Sequence, residues 1–164
     1  MKRFSLSMLI ALIAVLVIVG GAFAAQLTFR SLMTPNDIIP LPMNVDSSAR
    51  GTAVFRLSSD ESAMAYRLNV SNIDQVTMAH IHQYVGDGRN GPILVWLYPG
   101  TTSTGPGAPT GSVRGTLAEG TFGSEHVRGG FTWEQVIEMM RNGEAYVNVH
   151  TSAAPAGEIN GHIH

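Results

Sequence analysis

Five of the six histidines fall in three short runs: Met78-Ala79-His80-Ile81-His82, Val149-His150-Thr151 and Gly161-His162-Ile163-His164. Each run is strand-like, and a strand sends alternate side chains to opposite faces. His80 and His82 therefore point the same way, about 7 Å apart along the strand. That is chelating geometry, and His162 with His164 repeats it. Neutral imidazoles without thiolate suit Zn²⁺ or Cu²⁺, and the affinity order favours copper where copper is available. Met78 offers a thioether from the same face as His80. Glu158, Asp87 and Asn148 are candidates to orient the rings. His126, in the loop Gly123-Ser124-Glu125-His126, reads as a surface residue. A metal ion held by His80, His82, His150, His162 and His164 is one reading of the group; a hydrogen-bonded polar patch is the other.

Composition narrows the chemistry. The 164 residues include no cysteine, 18 glycines and 8 prolines, with 13% charged residues and a formal net charge of −2. Without cysteine, disulfides, thiolate zinc sites, iron–sulfur clusters and blue-copper centres are excluded. The basic residues are scattered and the balance is slightly acidic, so nucleic-acid binding is not expected. No phosphate-cradling glycine loop, nucleophile elbow or helical zinc-protease motif is present.

The chain opens with Lys2 and Arg3 before an uncharged run from Phe4 to Phe29, densest in apolar residues from Met8 to Val19. That pattern is an export signal with its N-terminus in the cytoplasm. Ala22-Phe23-Ala24 is a cleavage-type site and favours a secreted product. The length of the run exceeds the ~20 residues that span a bilayer and favours a retained single-pass anchor. Residues 1–29 are thus a signal peptide or a transmembrane anchor, and the remainder is extracytoplasmic in either case.

Residues 30–48 carry Pro35, Pro40 and Pro42 with little periodicity, and read as a linker or a lead-in that drapes over the domain. From about Ala49 to His164 the text is strand-like. Ala53, Phe55 and Leu57 share one face of a first run, and Met64, Tyr66, Leu68 and Val70 share one face of the next. Gln75 to Val85, Pro92 to Tyr98, Ser112 to Leu117, Ala145 to Thr151 and Glu158 to His164 are further runs. Pro99 to Gly111 reads as a flexible surface loop. One helix is expected: Thr132 caps it, Gln135 completes a capping box, Trp133, Val136, Ile137 and Met140 form its buried stripe, and Gly143 ends it. The expected fold is all-β, an antiparallel sandwich or barrel of Greek-key type with one short helix, preceded by an N-terminal hydrophobic helix.

Alternation also assigns faces. Met78, His80, His82 and Tyr84 oppose Ala79, Ile81 and Val85; Tyr146, Asn148 and His150 oppose Ala145, Val147 and Val149; Asn160, His162 and His164 oppose Ile159, Gly161 and Ile163. The small apolar side is the natural core side, which places every one of these histidines on the polar, solvent side of its sheet.

Ala79-His80-Ile81-His82, the glycine-rich loop into Gly91-Pro92-Ile93-Leu94-Val95-Trp96-Leu97, Gly143-Glu144-Ala145-Tyr146-Val147-Asn148-Val149-His150-Thr151 and Pro155-Ala156-Gly157-Glu158-Ile159-Asn160-Gly161 together resemble the CHRD (chordin) domain. The resemblance covers about Ala49 to His164. It implies a sandwich-like extracellular module, with His80, His82 and His150 matching the family's histidines, and it supplies no settled activity. The family commonly has glutamine where His162 stands, so His162 and His164 read as this chain's own addition. The H-x-H pair with distant strand histidines is similar in style to copper–zinc superoxide dismutase, without its disulfide cysteines.

Two functions follow as expectations. One is a copper- or zinc-binding module, a metal carrier or a dismutase-like redox site with Arg89, Arg114 or Arg128 as a cationic guide. The other is a non-enzymatic extracellular domain that binds a protein partner, or an accessory subunit of a membrane complex, with the Pro99 to Gly111 loop as a contact surface.

Overall fold

The computed structural model describes residues 27–164; of the expected signal or anchor segment, 1–29, residues 1–26 lie outside the described residues, while Thr28 and Phe29 belong to the first strand. Among the described residues no helix is long and apolar enough to cross a membrane. Two four-stranded antiparallel sheets face each other. The first has the order β1-β2-β3-β6, from Thr28–Met33, Arg50–Leu57, Ala63–Ile73 and Val113–Gly123. The second has the order β5-β4-β7-β8, from Ile93–Tyr98, Val76–Gln83, Ala145–Thr151 and Ile159–His162. The all-β sandwich with one helix is as the alternation of the sequence implies.

The inner faces are the apolar ones. Phe29, Ala53, Phe55, Met64, Leu68 and Val70 of the first sheet meet Ala79, Ile81, Val95, Val147 and Val149 of the second, all buried in one core. Sandwiches stack at about 10 Å, so these side chains interdigitate in a single layer. The helix α1, Trp133–Arg141, covers one end of that layer. Thr132 Oγ1 accepts from the Gln135 amide while Gln135 Oε1 accepts from the Thr132 amide, so both ends of the capping box are made. Trp133 packs edge-on to Phe122 of β6 at 5.8 Å between ring centres, and its Nε1 donates to the Glu61 carbonyl. The helix runs through Gly143 (φ +71°) directly into β7.

The prolines of residues 30–48 conceal a structural strand. β1 pairs with β2 along its whole length, with Phe29 and Met33 in the core. Alternation there is hard to read because the middle inward position is Ser31, a polar residue whose hydroxyl donates to the Gly161 carbonyl. β1 also joins the two sheets: the Arg30 amide donates to the His164 carbonyl at 2.7 Å, the His164 amide returns the bond at 2.9 Å, and Thr34 and Asn160 exchange a second pair. This approach requires Gly161, since a Cβ there would lie 2.0 Å from the Leu32 carbonyl oxygen.

The Pro99 to Gly111 loop departs from its reading as free surface. Its second half is bonded along the start of β4: the Gly107 amide donates to the Thr77 carbonyl, and Thr110 exchanges backbone bonds with Gln75 and Val76.

Candidate metal centre

β4 is the middle of the second sheet, flanked by β5 and β7, and its register fixes what surrounds the histidines. His80 stands opposite Asn148 and Trp96, His82 opposite Tyr146 and Ile93, and Met78 opposite His150. His150 is therefore the diagonal neighbour of His80 across the strand pair, a spacing that imidazole rings bridge. His80 Nδ1 lies 3.1 Å from His150 Nε2. One ring nitrogen from each of His80, His82 and His150 lies within 4.8 Å of the others, and this is the one such group of His, Asp or Glu among the described residues.

The outer face that carries them is covered, which corrects its assignment to the solvent side. His80, His82 and His150 are 1%, 3% and 2% exposed. The loop after β4 and the turn between β7 and β8 fold over the sheet and are tied to it by Asn90. Asn90 Oδ1 accepts from the Tyr146 hydroxyl and from Asn148 Nδ2, and its own amide donates to the Ala156 carbonyl. The turn lies so close that a Cβ on Gly157 would be 2.0 Å from Asn148 Oδ1. Trp96 stands edge-on to His80 at 4.1 Å, and Tyr146 stacks on His82 at 5.3 Å between ring centres.

Two carbonyls in this cover set the tautomers. His82 Nδ1 is 2.8 Å from the Gly91 carbonyl oxygen, and His150 Nδ1 is 3.0 Å from that of Pro155. A carbonyl only accepts, so each Nδ1 carries the proton and each Nε2 presents a lone pair. Burial keeps the rings neutral. It is the main reason that the pKa of His80 falls to about 2, with the neighbouring His150 and His82 adding to the shift. Burial likewise lowers His82 to about 4 and outweighs the raising effect of its Gly91 bond. His150 is lowered for the same reason, against its Pro155 bond. His80 Nε2, His82 Nε2 and Asn148 Oδ1 are buried with no hydrogen-bond partner.

His162 and His164 do not join this group, a correction to the five-histidine set. His162 pairs in register with Tyr146, which itself pairs with His82. His162 is thus two strands from His82, about 10 Å at the spacing of a sheet, with a tyrosine between. Its ring meets Tyr84 at 4.5 Å and His164 at 5.9 Å instead. His164 is exposed at the rim beside Gly143.

The other candidates are placed as follows. Asn148 sits in the cover between the histidines and Asn90. Glu158 is bonded to Ser47 and Thr151, and Asp87 pairs with Arg89 in the surface loop, so neither orients a ring. Arg114 lies on the outer face of the opposite sheet, and Arg128 donates to the Glu125 and Val127 carbonyls. The groups that do orient the rings, the carbonyls of Gly91 and Pro155, were invisible in the sequence because every residue supplies one.

The three nitrogens fit an ion. Bonds of about 2.0–2.1 Å allow two ligand nitrogens at most about 4.2 Å of separation. One nitrogen of each ring lies within 4.8 Å of the others, so a small rotation of one ring brings the set into that span.

The model of the CHRD domain family matches residues 29–163. No curated protein matches the chain.

Proposed function

The chain belongs to the CHRD domain family, and from that premise we propose that it is a copper- or zinc-binding module whose ion is held by His80, His82 and His150. The observation that carries this reading is the pattern of ring nitrogens. Both Nδ1 atoms that meet carbonyls are spent on orienting their rings, while Nε2 of His80 and His82 are buried without a partner. A hydrogen-bonded polar patch would satisfy them, because an unmet buried acceptor costs about 1–3 kcal/mol. Three neutral imidazoles leave a tetrahedral ion one further position, and Zn²⁺ or copper both accept such a set.

Within this reading, each residue has a definable task. His82 and His150 donate through Nε2 with their rings fixed by Gly91 and Pro155. Tyr146 and Trp96 wall the site with aromatic surface and limit rotation of His82 and His80. The cover excludes water, which favours retention of an ion over fast exchange, so carriage or storage of the metal is a better fit than rapid redox turnover. The export-type N-terminal sequence supports an extracytoplasmic setting for this activity.

Metal analysis after aerobic purification tests the reading. About one equivalent of copper or zinc per chain is expected in the wild type and a substoichiometric trace in His82→Asn, whose amide can still donate to the Gly91 carbonyl. Equal metal content in the two proteins would refute it. Superoxide dismutation no faster than that of free buffer would dispose of the redox branch alone.

A further inference from the structure

The outer face of the first sheet is a field of arginines. Successive outward positions in register are Arg56 with Ala65, Arg30 with Val54 and Arg67, and Leu32 with Thr52 and Asn69, while Arg50 and Arg114 complete the far end. Five of the eight arginines among the described residues lie on this face, against one carboxylate, Glu119. The remaining three arginines are distributed among eleven carboxylates elsewhere. A chain with a formal net charge of −2 is therefore strongly polarised, positive on one flat face and negative over the rest.

The cations are not consumed by ion pairs within the protein. Arg67 pairs with Glu119 at 2.8 Å, with both side chains more than half exposed, and among the described residues Arg30 and Arg56 have no carboxylate partner. Together with Glu119 they border a shallow groove of about 650 Å³. Next to Arg30 on the same face, Leu32 of the edge strand β1 is 73% exposed, a large apolar side chain left in solvent among the arginines.

We infer that this face docks on an anionic lipid surface, with Arg30, Arg56 and Arg67 meeting headgroup phosphates and Leu32 entering the headgroup layer. Guanidinium groups match phosphate oxygens in a bidentate fork. Arginines around an exposed aliphatic side chain are the pattern of an interfacial membrane contact, whereas a soluble polyanion gives Leu32 nothing to enter. Continuity of the chain points the same way. The uncharged run that begins at Phe4 continues into β1, so a bilayer that held the part before Thr28 would meet this sheet at the end where Thr28 pairs with Arg56. The inference is independent of the metal centre, which lies on the outer face of the other sheet.

The absence of cysteine allows a direct test on the full chain. Thr52→Cys, beside Leu32 on this face, is labelled with a polarity-sensitive fluorophore and mixed with vesicles of phosphatidylcholine alone or with 30% phosphatidylglycerol added. A blue shift and quenching by headgroup-attached quenchers are expected only with phosphatidylglycerol. The apparent affinity should fall about fivefold for each of Arg30→Gln, Arg56→Gln and Arg67→Gln, and the signal should vanish at high salt. These side chains are exposed, so an unchanged melting curve serves as the folding control. A label indifferent to phosphatidylglycerol would overturn the inference, as would a signal unaffected by the three substitutions. Binding of dextran sulfate with no response to vesicles would overturn it in favour of a soluble polyanion.

Discussion

His80 Nδ1 and His150 Nε2 lie 3.1 Å apart, although 70 residues separate them in the chain. Only one of these two nitrogens needs a proton for the contact to be a hydrogen bond. The Pro155 carbonyl already holds the proton of His150 on Nδ1, so in the metal-free protein His80 Nδ1 donates and its Nε2 is left without a partner. That Nε2 keeps a lone pair open to an ion, and the surroundings of the pair yield four predictions.

The metal-free protein should lose stability as pH falls from about 6.5 towards 4.5. Burial lowers His80 and His82 to about 2 and about 4, and lowers His150 as well, whereas the unfolded chain takes up protons near 6.5. Below 6.5 the unfolded state binds more protons than the folded one, so the stability present above that pH is progressively lost. The slope approaches about 1.4 kcal/mol per pH unit for each buried histidine. Urea midpoints measured at fixed temperature across this window check it, and a flat profile would contradict it.

Asn90→Ala should loosen the cover over the metal centre. It removes the acceptor for the Tyr146 hydroxyl and one of the two acceptors of Asn148 Nδ2. A loss of about 1–2 kcal/mol in stability is expected from the stranded hydroxyl. Extraction of the ion by a chelator should be faster by roughly tenfold if the cover limits release, a local opening with about 1.4 kcal/mol less cost. Stopped-flow chelation is the measurement, and an unchanged rate would show that the ion leaves by another route.

Gly157→Ala should be far more damaging than Gly130→Ala, although both glycines have positive φ, +129° and +80°. A Cβ at Gly157 collides with Asn148 Oδ1, whereas one at Gly130 meets nothing within 4 Å. Backbone strain alone costs about 1 kcal/mol, and the collision adds the displacement of a buried side chain. Thermal melts of the two variants should differ clearly, with Gly157→Ala also losing retained metal.

The double change His162→Ala with His164→Ala should keep its equivalent of metal, and His80→Ala should not. The His162 ring contacts Tyr84 and His164 rather than the buried three. Elemental analysis of the two variants separates a three-histidine centre from the five-histidine set that the sequence suggests. Loss of the ion from the double variant would return His162 to the site.

Much of this was legible in residue order. The helix was readable from Thr132, Gln135 and the spacing of Trp133, Val136, Ile137 and Met140, because a capping box and a 3.6-residue stripe are local signals. The strands of residues 50–57 and 145–151 were readable because half of each strand is plainly apolar. β1 was not, since Ser31 interrupts its inward face and owes its place to the Gly161 carbonyl more than a hundred residues away.

The sequence by itself determined which side of its strand each histidine occupies, because side chains alternate with a period of two wherever a strand forms. It could not determine what lies over that side. The burial of His80, His82 and His150 is decided by Asn90 and Gly157, which fold two loops onto the sheet. The exclusion of His162 is decided by strand order, which puts Tyr146 between it and His82. Both are products of long-range pairing, and alternation within a strand carries no record of its neighbours.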